Sequence, residues 1–199
     1  PITSVRINPS WAGVEPRVEG QKVSFSLTGT EPRNLTLEVN GPHNALHLFA
    51  CAPEADVPAE GSVTYYYGPG IHRPGRIKLQ SGARVYLARG SGSGLGFSNC
   101  SNIKIEGIVL RDPAMWCCAL FGCTDVEIDN VKIVGLWRYN ADGIDVVNSS
   151  RVRVKDCFVR SFDDALVVKG RKRNLGEPEL IGISHLPVED VLFENCTVW

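Results

Sequence analysis

No stretch of this chain is apolar for anything near the 18 residues that a membrane-crossing helix needs, and the three-to-four-residue spacing of an amphipathic helix is missing as well. Nor is there an excess of charge. With 21 basic and 22 acidic side chains the formal net charge is −1, which argues against nucleic acid as the partner. A single methionine in 199 residues, beside 20 glycines, disfavours a helical protein and suits a turn-rich β protein. The chain carries no signal-type segment, so Pro1 reads as a processed start or a fragment boundary. Seven cysteines cannot all pair, and their spacings match no zinc pattern. No metal ligand set and no cofactor motif is expected.

What is present is repetition. Ile103–Leu110, Val126–Ile133, Val152–Val159 and Val191–Val198 align as pairs of short alternating strands, hinged on Gly107, Asn130, Asp156 and Asn195. Those residue types tolerate the left-handed backbone of a corner. The repeats start 23, 26 and 39 residues apart, as expected of one β-coil each, with an insertion at Arg171–Pro187 in the last. The expected inward ladders are Ile103/Val126/Val152/Val191, Ile105/Ile128/Val154/Phe193 and Ile108/Val131/Cys157/Cys196. Cys100 and Cys123 fall on a fourth, so these cysteines read as small buried hydrophobes. Cys51, Cys117 and Cys118 have no assigned place.

The first 60 residues differ. Val5–Ile7, Val23–Leu27, Leu35–Val39 and Ala45–Phe49 are short strands separated by Pro, Gly and Asn, which predicts a small β-sandwich-like domain over 1–60. His43 and His47 read there as turn or strand residues. The Pro- and acid-rich Ala52–Gly61 reads as the linker to a parallel β-helix over 61–199, with Ile77–Leu87 as its first coil and Gly90–Gly94 as a surface turn.

A third set of strands carries the chemistry. Trp116–Gly122, Asn140–Asn148 and Phe162–Gly170 each end a short apolar strand on a turn-forming residue. Counting back six residues from those ends gives Trp116, Asp142 and Asp164, with Asp163 beside the last. Stacked coils lie about 4.8 Å apart, so these carboxylates become neighbours in a groove along one face. A groove suits a polymer, and neighbouring carboxylates with split affinities for protons suit acid–base hydrolysis of a glycosidic bond. Strict alternation from Ile144 and Leu166 would turn Asp142 and Asp164 inward, at high cost. A bend before both strands, supplied at the first by Gly143, is expected to turn them out. Trp116 and Trp137 are candidate sugar platforms, Arg138 and Tyr139 candidate groove residues, and Lys169 a candidate substrate contact. Arg171–Arg173 is a basic cluster suited to an acidic sugar.

In these motifs the chain resembles the polygalacturonase-like family 28 glycoside hydrolases. The family's Asn-Thr-Asp-Gly is matched by Asn140-Ala141-Asp142-Gly143, with Ala141 in place of Thr, and its Asp-Asp pair by Asp163-Asp164 ahead of Lys169-Gly170. The resemblance covers about residues 63–199 and implies an all-β, right-handed parallel β-helix behind a small accessory domain. It implies Asp163 as general acid, Asp142 and Asp164 as the bases that hold water, inversion at the sugar, and Asn140 in the substrate site. The family's Gly-His-Gly and Arg-x-Lys motifs would fall beyond Trp199, so the chain is expected to be a truncated form. Pectin or polygalacturonan is the implied substrate, with a neutral glycan open. A polymer substrate implies a secreted or periplasmic protein, expected as a monomer with no nucleic acid or membrane partner. Two further readings stay open: a non-catalytic glycan-binding module, and a Ca²⁺-dependent polysaccharide lyase of the same fold.

Overall fold

The computed structural model describes residues 1–29, 33–51, 57–70, 72, 81–82, 84–88, 94–113, 115–135, 138–172, 182–183 and 185–199. The chain divides into two compact units, Pro1–Ala55 and Asp56–Trp199.

In the first unit, β1 (Val5–Asn8), β4 (Arg33–Val39) and β5 (Ala45–Ala50) form an antiparallel sheet with β4 in the middle. The hairpin β2 (Arg17–Glu19) and β3 (Lys22–Ser24) forms a second, two-stranded sheet. Ile7, Leu35 and Leu37 make the core, and Val23 and Phe25 pack onto it from the hairpin side. That is a small two-layer β arrangement. His47 sits opposite Thr36 and shares a 2.9 Å hydrogen bond with it, while His43 lies in a short 3-10 turn.

The second unit opens with a parallel pair, β6 (Tyr65–Tyr67) on β7 (Val85–Leu87). Of the expected first coil, residues 77–80 and 83 lie outside the described residues; its described strand, β7, pairs with β6. Most of the expected surface turn, residues 90–93, and Trp137 also lie outside them. From residue 94 the chain winds four coils of three strands. They are β8 (Leu95–Ser98), β9 (Ser101–Glu106) and β10 (Val109–Arg111); β11 (Cys118–Phe121), β12 (Thr124–Asp129) and β13 (Lys132–Val134). Then come β14 (Ile144–Val147), β15 (Ser150–Lys155) and β16 (Phe158–Val159); and β17 (Leu166–Lys169), β18 (Glu189–Glu194) and β19 (Thr197–Val198). Like strands stack in parallel, giving three four-stranded sheets ordered β8-β11-β14-β17, β9-β12-β15-β18 and β10-β13-β16-β19. This is a parallel β-helix. Among the described residues no helix is long and apolar enough to cross a membrane.

The predicted ladders hold in register. Ile103, Val126, Val152 and Val191 pair across the second sheet, as do Ile105, Ile128, Val154 and Phe193. The hinge residues Gly107, Asn130, Asp156 and Asn195 all take left-handed backbone, with φ between 50° and 69°. A second left-handed column, Asn102/Asp125/Arg151/Asp190, bulges the start of the same four strands and was not expected, because Arg151 is a poor residue for that conformation. Its side chain gains a partner in the same column: a fork of two hydrogen bonds, 2.6 and 2.8 Å, to Asp125.

The cysteines behave as apolar side chains. Cys117, Cys118, Cys123 and Cys157 are buried in the core, and Cys118 stands in line with Leu95 and Ile144. Burial is the main cause that pushes the Cys118 thiol up to about 12 and that of Cys123 up to about 11, so both stay protonated and unreactive.

Ile128 is fully buried at the centre of this core, whereas Lys104 on the outer face is exposed. Ile128→Ala is expected to cost ~2–5 kcal/mol in urea denaturation, against less than about 0.5 kcal/mol for Lys104→Ala. Equal effects would show that the interior of the coils does not carry the stability.

Candidate active site

The expected aspartate rung forms at one end of the β8-β11-β14-β17 sheet. Register places Ile144 beside Leu166 and Cys118, so Trp116, Asp142 and Asp164 occupy equivalent positions in successive coils. Two backbone bonds tie that rung together: Cys117 N–H donates to Asp142 O at 2.9 Å, and Gly143 N–H to Asp164 O at 2.8 Å. Ahead of it, Asn140 adopts φ 56° in the turn closed by Ala141 N–H on Arg138 O, and Phe162 N–H donates to Ala141 O. Asn140, Arg138 and Tyr139 are exposed on that turn.

The carboxylates do not share one environment. Asp163 and Asp164 are exposed, and Asp163 accepts the Asp164 N–H at 3.0 Å. Asp142 is only 2% exposed, so the expected outward bend does not occur at Asp142. The reason is a cation in place of water. Lys169, on β17, donates to Asp142 Oδ2 and to Asp145 Oδ1 at 2.6 Å each, and its ammonium lies 3.9 Å from Asp164 Oδ2. Gly143 serves a different need from the one expected. A Cβ there would lie 2.3 Å from Ala165 O and 2.3 Å from Val159 Cγ1, so only glycine lets the next coil approach.

Asp145 was not foreseen. On β14 it occupies the face opposite Ile144 and Val146, which alternation marks as outward, yet it is 0% exposed. Its signal in the sequence is a lone acid inside the apolar run Ile144–Val147, answered by the one lysine that ends β17. Burial pushes the Asp145 carboxyl up to about 7; the bonds to Lys169 pull it back, and the neighbouring Asp142 adds to the rise. For Lys169, burial pulls the ammonium down, but its bonds to Asp142 and Asp145 outweigh that and leave it above its ordinary value.

Trp116 is half-buried and already occupied. The Lys169 ammonium lies 4.1 Å from its ring centroid, the Arg171 guanidinium 5.6 Å, and Phe121 stacks on it with centroids 5.8 Å apart. Arg171 is held in turn by Asn148, whose side chain accepts the Arg171 N–H at 2.9 Å and donates to Arg171 O at 3.2 Å and Leu186 O at 2.7 Å. Of the basic cluster, Arg171 and Lys172 are exposed and Arg173 lies outside the described residues. A depression of about 470 Å³ exists on the outer face of β9, β12 and β15, lined by Lys104, Asp125, Glu127, Arg151 and Arg153. There the charges pair across coils, Arg151 with Asp125 and Arg153 with Glu194, so it has no cluster of like carboxylates to do chemistry.

Two outcomes follow. Gly143→Ala must push apart the coils that carry Asp142 and Asp164, costing ~1–3 kcal/mol in chemical denaturation; wild-type stability would mean the close approach is absent. Asp145 holds its proton more tightly folded than unfolded, so its contribution is full below about pH 4 and is lost as pH rises through about 7. Wild type is therefore expected to lose more stability between about pH 4.5 and pH 8 than Asp145→Asn does. Parallel pH curves for the two proteins would remove Asp145 as the cause.

Comparison with known proteins places this site in context. Residues 77–180, about half of the chain, match the model of the glycosyl hydrolases family 28. A protein of Arabidopsis thaliana whose name proposes a polygalacturonase is 29% identical over 51% of this chain and 26% of its own length. One of Aspergillus niger, named in the same provisional way as a galacturan 1,4-alpha-galacturonidase, is 20% identical over 40% of this chain and 21% of its own. The chain thus spans about a quarter of the length of these curated relatives. A crystal structure from Parabacteroides merdae, provisionally described as a glycosyl hydrolase, aligns at 20% identity with a TM-score of 0.40, over 52% of this chain and 38% of that one.

Proposed function

The chain belongs to the glycosyl hydrolases family 28, and on that premise we propose that it cleaves a polysaccharide by acid–base hydrolysis at Asp142, Asp163 and Asp164. The observation that carries this reading is the rung itself. One ammonium stands 2.6 Å from a buried carboxylate and 3.9 Å from an exposed one, with a third carboxyl next in sequence. Hydrolysis needs carboxyl groups in unlike surroundings, one able to give a proton to the leaving oxygen and one able to take a proton from water. In this assignment Asp163, exposed on the turn before β17, is the acid that meets the glycosidic oxygen. Asp142 and Asp164 hold the attacking water, and the sugar inverts. Lys169 Nζ donates to Asp142 Oδ2 at 2.6 Å, which sets a cation against the carboxyl assigned as base.

A galacturonan-type polymer is the proposed substrate. Relatives' names point that way, and so does the local charge: Arg138, Arg171 and Lys172 are exposed around the rung, suited to sugar carboxylates. Asn140 and Arg138 are assigned to the substrate groove. Trp116 is assigned to the floor beneath it, since its ring already carries Lys169. Acting on an extracellular polymer, the protein would work outside the cytoplasm.

Reducing-end release from polygalacturonan, rhamnogalacturonan and dextran tests the reading, with the chain run beside a form extended at its C-terminus. Polygalacturonan is expected to be cut, and Asp163→Asn to lower kcat by ~10²–10⁴-fold. Folded protein that releases sugar from none of the three, in either form, would refute it. So would a product with a new ultraviolet absorbance, which marks elimination.

A further inference from the structure

Asp142 and Asp145 together bring two carboxyl groups into a space that solvent barely reaches, with side-chain exposures of 4% and 0%, against a single ammonium. If both were ionised, the cluster would carry one uncompensated negative charge, which burial penalises heavily. Each carboxyl uses one oxygen on Lys169. The other oxygens, Asp142 Oδ1 and Asp145 Oδ2, are buried with no hydrogen-bond donor among the described residues. The structure therefore leaves two acceptor oxygens and one excess charge in the same place. A single proton held between the two carboxyls removes all three deficits at once.

We propose that Lys169 and Asp145 are positioning residues for Asp142: the ammonium, roofed by Trp116, ties the two buried carboxyls together so that they hold one proton between them. Asp142 is then fixed in orientation, with the same ammonium 3.9 Å from Asp164 Oδ2. Lys169 comes from β17 and Asp145 from β14, and Asp164 approaches from the turn before β17. The protonated thiols of Cys117 and Cys118 adjoin Asp145 from the start of β11. The Arg171 guanidinium lies 5.6 Å from the same Trp116 ring. Packing of the Lys169 ammonium against the indole at 4.1 Å limits the stem's freedom.

The proposal takes from the reading above only the role of Asp142, and its test has a readout independent of turnover. Aspartate carboxyl carbons, labelled with ¹³C, are titrated by NMR in wild type, Lys169→Met and Asp145→Asn. Wild type is expected to show one aspartate changing charge in the neutral range. In Asp145→Asn, where one carboxylate faces one ammonium, that transition disappears. In Lys169→Met it moves up by about one pH unit or more, a tenfold change in proton affinity. Should Lys169→Met fail to fold, Asp145→Asn decides alone, because it keeps the ion pair to Asp142.

On polygalacturonan, Lys169→Met is expected to shift the acidic limb of the kcat profile upward by a similar amount while KM stays within about twofold. A merely structural role would lower the active fraction without moving the limb. A neutral-range transition that survives in Asp145→Asn, or an unmoved one in Lys169→Met, overturns the proposal even if the protein is an active hydrolase. Titrations that move as stated in a protein that cuts no glycan leave the proton-holding cluster standing and remove the hydrolase reading instead.

Discussion

Everything in the second unit depends on coils stacking in register, backbone to backbone. The ladder fixes each side chain against its equivalent one coil away, so a residue type suited to one position is suited to all four. Ile105, Ile128 and Val154 fill the interior as one column, and Asn130, Asp156 and Asn195 turn the same corner with the same left-handed backbone. The same constraint gathers chemistry. Asp142 and Asp164 are 22 residues apart in the chain, yet they belong to adjacent rungs because Gly143 has no Cβ to hold the coils apart.

Within that frame the site is a problem of charge in a dry place. The β14 strand is buried along its whole length, and two of the acids at and just before it are inaccessible to water. Buried surroundings offer few ways to stabilise them, and one lysine from the next coil does so for both. The exposed pair Asp163–Asp164 meets no such restriction. Stacking thus produces carboxyl groups of unlike character without any change of residue type.

Most of the fold was legible in the sequence because period-2 alternation repeated in phase leaves a signal that survives turns and an insertion. Corners were legible because only Gly, Asn and Asp sit easily there. The aspartate rung was legible from spacing alone. What escaped depended on three dimensions. Asp145 sits at a position alternation marks as solvent-facing, and only the packing over β14 shows it buried. The outward bend assigned to Asp142 assumed that buried acids have no partner, since the pairing lysine lies 27 residues later in the chain. Trp116 looked like an open platform because nothing in its neighbours announces the Lys169 ammonium over its ring. The Asn102/Asp125/Arg151/Asp190 bulges hid because Arg151 breaks the residue pattern that marks such sites.

The Asn148 carboxamide meets the excursion between β17 and β18 at both of its ends, bonding Arg171 as the chain departs and the Leu186 carbonyl as it returns. One side chain thereby closes the gap that the excursion opens in the coil. The returning arm is also anchored by packing: Ile183 is buried, and a Cβ on Gly122 would lie 2.5 Å from its Cγ2. Loop-closure cost rises only slowly with added residues. Between the anchors at Arg171 and Ile183, length can accordingly change at little cost while every rung keeps its register.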